Sequence, residues 1–181
     1  MRTTMWLGLV GAVAGCGGGA ETTTGGVDET PGDTVVEDPC RAEVLEDDFG
    51  FDPSLGDPAD WALPPDAVVA STYLRRNSDA ATFDALLQPV VAELMAGPAG
   101  LLGVSLAGSA SCNTGRTLSA WNDEAAMLDF VTGPAHGAAM LRLDEVSRGG
   151  SITMSWSAAE LGGTDWATVA AALAAHDGPV Y

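Results

Sequence analysis

From residue 67 onward the hydrophobic period of this chain switches repeatedly between two and 3.6 residues. The order of those switches constrains the fold more than any other feature. Residues 67–74, AVVASTYL, have the β-branched and aromatic content of a strand. Asp79 is then placed to cap a helix whose apolar positions are Phe83, Leu86, Leu87, Val90, Val91, Leu94 and Met95. Pro89 falls inside it, removes one amide donor and predicts a bend. Gly97-Pro98-Ala99-Gly100 ends the helix. Residues 101–106 and 116–121 read as a second and third strand, joined by a Ser/Gly/Asn-rich connection that holds Cys112. Asn122 is placed to cap a second helix, with Asp123 and Glu124 in the first turn, where acids suit the helix dipole. Gly133-Pro134 interrupts that helix, and a further segment runs to about Val146. Residues 151–157, SITMSWS, alternate strictly between an apolar and a hydroxyl face. Thr164 is placed to cap a last, Ala-rich helix through Trp166, Val169 and Leu173.

The order is therefore β-α-β-β-α-β with an added C-terminal helix. It predicts an α+β fold of the ferredoxin-like kind, an antiparallel sheet with its helices on one face. A sheet covered on one side leaves the other open. Burying that side commonly takes a second subunit, so a homodimer is expected.

Ahead of this domain the composition changes. Residues 17–66 hold 14 acids against a single Arg, whereas residues 67–181 hold 11 acids against five Arg. The formal net charge of -18 is therefore concentrated in the N-terminal extension. Such a surface repels nucleic acid. The chain has no Lys, which excludes Schiff-base and P-loop chemistry. Gly, Thr, Asp and Glu dominate residues 16–39, as in an extended, self-repelling tether. Residues 40–66 set Phe49, Phe51, Leu55, Trp61 and Leu63 among acids and prolines, and are expected to lie irregularly against the domain. Asp47, Asp48, Asp52, Asp57 and Asp60 fail the spacing of a calcium loop and read better as a solvated acidic face.

The first residues resemble a bacterial lipoprotein signal peptide. Arg2 supplies the positive end, residues 5–12 a short apolar run, and Val13-Ala14-Gly15-Cys16 resembles the lipobox. The apolar run is too short to span a bilayer. The resemblance implies a signal peptide over residues 1–15, acylation of Cys16 and anchorage of the rest to a membrane of the cell envelope. Gly17 after the Cys is similar to lipoproteins sorted to the outer membrane, facing the periplasm or the cell surface. With Cys16 acylated, Cys40 and Cys112 remain, and outside the cytoplasm a pair is expected to be oxidised. That bridge would close a loop of roughly 70 residues, worth about 4 kcal/mol in the chain-entropy model. Two Cys and two distant His make no metal signature.

A second resemblance rests on the domain itself. Arg116-Thr117-Leu118-Ser119-Ala120-Trp121, then Asp123-Glu124-Ala125-Ala126-Met127, then Gly133-Pro134-Ala135-His136 resemble the antibiotic biosynthesis monooxygenase group. Gly100-Leu101-Leu102-Gly103 resembles the glycine-bounded second strand of that group, and the match runs over about residues 67–157. It implies a dimeric α+β barrel. Members include cofactor-independent oxygenases, haem-degrading enzymes, dismutases and proteins of no known chemistry, so the fold carries little functional weight. The haem-degrading branch uses an Asn in the first strand, with a Trp and an iron-binding His on the second helix. Aligned on Trp121, those helix positions hold Phe130 and Met140, and Asn77 lies past the end of the first strand. Haem degradation is excluded on all three residues, and no cofactor is implied.

His136 is the residue in this region fit to act as a base. It falls in the first turn after Pro134, where the helix dipole disfavours an imidazolium. A neutral ring is what proton abstraction from a phenolic substrate requires. Its helical spacing with Met140 and Leu143 equally fits a packed core histidine. Tyr73, Trp121 and Trp156 could line a pocket for a small apolar or aromatic ligand, with Arg75 holding a ligand carboxylate. Core or interface packing is the competing reading for all three aromatics. Two functions follow: a membrane-anchored module that binds a small apolar molecule or serves as an envelope scaffold, and a cofactor-independent monooxygenase with His136 as general base.

Overall fold

A computed structural model describes residues 47–49, 57–109 and 111–176, all within one compact unit, Glu37–Tyr181. In chain order the elements are β1 (Asp47–Phe49), β2 (Val68–Arg75), α1 (Ala80–Met95), β3 (Leu101–Ser109), β4 (Thr114–Trp121), α2 (Glu124–Val131), α3 (Pro134–Met140), β5 (Ile152–Ser157), α4 (Ala158–Leu161) and α5 (Trp166–Ala174). The sheet order is β1-β3-β4-β2-β5, antiparallel throughout. Without β1 this is the ferredoxin-like arrangement that the sequence predicts. Each helical crossover skips one strand: α1 leads from β2 to β3 past the place that β4 later takes, and α2 and α3 lead from β4 to β5 past β2.

Strand alternation sorts the side chains onto two faces. The register pairs Val69 with Ala120 and Trp156, Ser71 with Leu118 and Met154, and Tyr73 with Arg116 and Ile152. Those residues share one face, while Val68, Ala70, Val104 and Trp121 share the other. α1 and α2 pack on the second face through Val90, Leu94, Met127 and Phe130, and Ala135 and Ala139 of α3 pack alongside.

The first face, expected to lie open, is covered by the same chain. Val169 and Leu173 of α5 are fully buried together with Val69, Tyr73, Leu118 and Ile152. Trp61, Leu63 and Trp166 pack at the margins of this cluster. Each fully buried aliphatic side chain contributes about 1.5–3 kcal/mol of transfer energy. α5 needs an apolar surface for its stripe, and this face supplies one. The reason for expecting a second subunit on it is thereby removed.

Part of the stretch expected to be irregular is also ordered against the sheet. β1 pairs with Leu106, Ala107 and Gly108 of β3. Asp57 caps a 3-10 turn at Pro58–Asp60, and the Thr164 hydroxyl donates to the Pro58 carbonyl. Trp61 then lies directly on Gly103, where an added Cβ would meet three ring atoms at 3.0–3.2 Å. Gly100, at φ +83°, lets β3 start against α2, since a Cβ there would fall 2.5 Å from the Ala126 Cβ. Gly103→Ala is expected to cost about 1–3 kcal/mol by overpacking against Trp61, read as a lower midpoint in urea with unchanged slope.

Two caps sit one residue later than the sequence predicts. Asp123, not Asn122, accepts from the Ala126 amide, and Asp165, not Thr164, accepts from the Thr168 amide. In both places two adjacent cap-competent residues compete, and the extended backbone falls on the second. Asp79 caps α1 through the Thr82 amide as predicted, and α1 continues as one helix past Pro89. β3 runs to Ser109 and β4 starts at Thr114, so their connection is short, with Asn113 in the left-handed region at φ 48°. Cys112 in that connection is disulfide-bonded. Cys40, its expected partner, and Cys16 lie outside the described residues.

Candidate functional site

Gly133 and Pro134 open α3 without a side-chain cap, and His136 follows in its first turn. The imidazole Nδ1 lies 3.1 Å from the Val131 carbonyl oxygen. A carbonyl only accepts, so Nδ1 carries the proton and Nε2 the lone pair. Burial pushes the His136 pKa below its ordinary 6.5, while the Val131 bond and the Glu93 carboxylate pull partly the other way. The ring is therefore a neutral base at neutral pH.

Its surroundings are packed. The His136 ring meets Phe130 edge-on at 5.3 Å, and Phe130 stacks on Trp121 at 5.2 Å. Trp121 is 0% exposed, and its indole N–H donates to the Ser119 hydroxyl at 2.9 Å. The result is a ladder from α3 through α2 to the sheet. Phe130 is its middle rung, a role that no sequence pattern marks.

The pH consequence has a definite sign. A base whose folded pKa is lowered binds fewer protons in the native state, so stability falls as pH drops below about 6.5 toward the folded value. His136→Phe is expected to flatten the thermal midpoint of the chain over that window relative to the parent. An unchanged slope would assign the pH dependence to other groups.

The four expected ligand-binding residues do not form one pocket. Tyr73 and Trp156 belong to the α5-covered face, and Trp121 lies on the opposite face. Tyr73 is 0% exposed, with the Arg116 guanidinium 4.5 Å above its ring. Arg116 is itself only 2% exposed. The sequence names Arg116 only within a motif; its alternation with Leu118 and Ala120 was the signal that it points inward. Arg75 ends β2 on the Tyr73 face, its amide donating to the Ser151 hydroxyl and its side chain crowding Gly150.

Space of ligand size occurs elsewhere. An open groove of about 440 Å³ is lined by Met140, Leu143, Asp144, Ser147 and Gly149, just beyond the end of α3. Beside it Leu141 is 86% exposed, and the Arg142 guanidinium is held in a two-bond ion pair by Glu145 at 2.7 Å. Among the described residues no three His, Cys, Asp or Glu side chains are grouped to hold a metal ion.

No protein-family model matches the chain, and no curated protein does. Solved structures similar to it include SnoaB, a cofactor-independent oxygenase from Streptomyces nogalater, at 17% identity over 50% of this chain and 91% of that one, TM-score 0.42. A Caulobacter crescentus protein provisionally named an antibiotic biosynthesis monooxygenase has 16% identity over 51% and 90%, TM-score 0.46. A Mycobacterium tuberculosis protein has 13% identity over 50% and 92%, TM-score 0.45. At such values the fold rests on the strand order described above, and the named activities belong to those proteins.

Proposed function

We propose that the protein is a membrane-tethered module of the bacterial envelope whose single ferredoxin-like domain holds a small apolar molecule. The observation that carries this reading is the groove at Met140, Leu143, Asp144, Ser147 and Gly149. Its volume suits a small ligand, and it combines an apolar wall with a few polar groups. The lipobox-like Val13-Ala14-Gly15-Cys16 supports the tether. Binding of N-phenyl-1-naphthylamine tests the groove: a rise in dye fluorescence that Leu143→Trp abolishes supports it. Equal fluorescence in both proteins overturns it. Loss of labelled palmitate from the Cys16→Ala chain tests the anchor separately.

The neutral His136 imidazole favours a second reading, a cofactor-independent monooxygenase. Nε2 would take a proton from a phenolic or polyketide-like substrate. One atom of O₂ would then convert a substrate CH₂ to C=O while the other leaves as water. Oxygen uptake with an anthrone substrate, lost in His136→Ala, is the result this reading requires.

A further inference from the structure

We propose that the chain closes its own sheet in cis and exists as a monomer, with α5 occupying the face on which a second copy would otherwise pack. That face carries Val69, Tyr73, Leu118 and Ile152, none more than 1% exposed. Left uncovered, a contiguous patch of this kind marks an interface. The cover comes from the chain itself: Val169 and Leu173 insert into it, and Trp61 and Trp166 close its margins. Three hydrogen bonds set the start of the cover, one to the rest of the domain and two within its cap. The Thr164 hydroxyl ties the start of α5 to the Pro58 carbonyl, and Asp165 caps the helix through the Thr168 amide and hydroxyl. While α5 is docked, a second copy cannot reach Val69 or Leu118. The face therefore fits one helix in cis or, with that helix displaced, its own twin in trans. A site built across a two-chain barrel is unavailable to the docked form.

The test uses the full chain carrying Cys16→Ser, so that no acyl group can drive association. Light scattering after size exclusion is expected to give a mass of 18.3 kDa from low micromolar to the highest soluble concentration. A two-fold mass at micromolar concentration overturns the proposal. Val169→Asp combined with Leu173→Asp in the same chain expels α5, and a concentration-dependent two-fold rise in mass is expected. A folded monomer of that double variant would show that the uncovered face does not take a twin, and overturns that part. If the double variant does not fold, Leu173→Ala replaces it. Faster hydrogen exchange at Tyr73 and Ile152, with α1 unchanged, is then expected, and unchanged exchange at both residues overturns the role assigned to α5.

Discussion

Trp121→Ala is expected to lower stability by about 3–5 kcal/mol, the range for deleting a large buried aromatic. The indole is fully buried, so its loss leaves a void between β4 and α2 and removes the platform on which Phe130 stacks. It also removes the indole N–H that the Ser119 hydroxyl accepts, leaving that hydroxyl its bond to the Ala70 carbonyl. Urea denaturation of the two proteins measures the difference directly. A loss under 1 kcal/mol, with ligand binding reduced, would restore Trp121 to the wall of a binding site. His136→Ala provides the internal contrast. Its ring contributes an edge-on aromatic contact and one backbone hydrogen bond, so the cost should be well below that of Trp121→Ala.

The second large effect is on the opposite face of the sheet. Leu173→Ala is expected to cost about 2–5 kcal/mol, as in any close-packed core. A terminal helix resting loosely on the surface would lose far less. Leu118→Ala, on the strand beneath, gives the scale for comparison, since both side chains are 0% exposed in one cluster. Similar losses in the two variants would place α5 within the cooperative unit. A Leu173→Ala loss several-fold smaller would make α5 an appendage.

The elements were legible because their periods differ and glycines separate them. Gly97 and Gly100 bracket the turn after α1, and Gly133-Pro134 marks the start of α3. His136 could therefore be placed in a first helical turn from sequence alone. The destination of α5 could not. A stripe of Trp166, Val169 and Leu173 states that an apolar surface is needed, not which one. β1 escaped notice for another reason: Asp47-Asp48-Phe49 sets two strand-averse Asp beside one Phe, and its conformation comes from pairing along the edge of β3. The expected aromatic pocket failed on register. Alternation within β2 and within β4 was readable, but only the pairing of Tyr73 with Arg116 shows that Trp121 falls on the opposite side. Phe130 and Arg116 were missed because a packing partner and a buried cation leave no local pattern beyond ordinary alternation.

That α5 follows every strand of the sheet in the chain also governs how the protein is born. Translation proceeds from the N-terminus, so α5 is delivered only after every strand that it covers, at about 5–20 residues per second. For a second or more the nascent sheet offers a greasy, uncapped flank to anything nearby. Clumping of newly made protein should therefore be set by how fast α5 arrives and docks, and a stop codon ahead of Trp166 would make that exposure permanent.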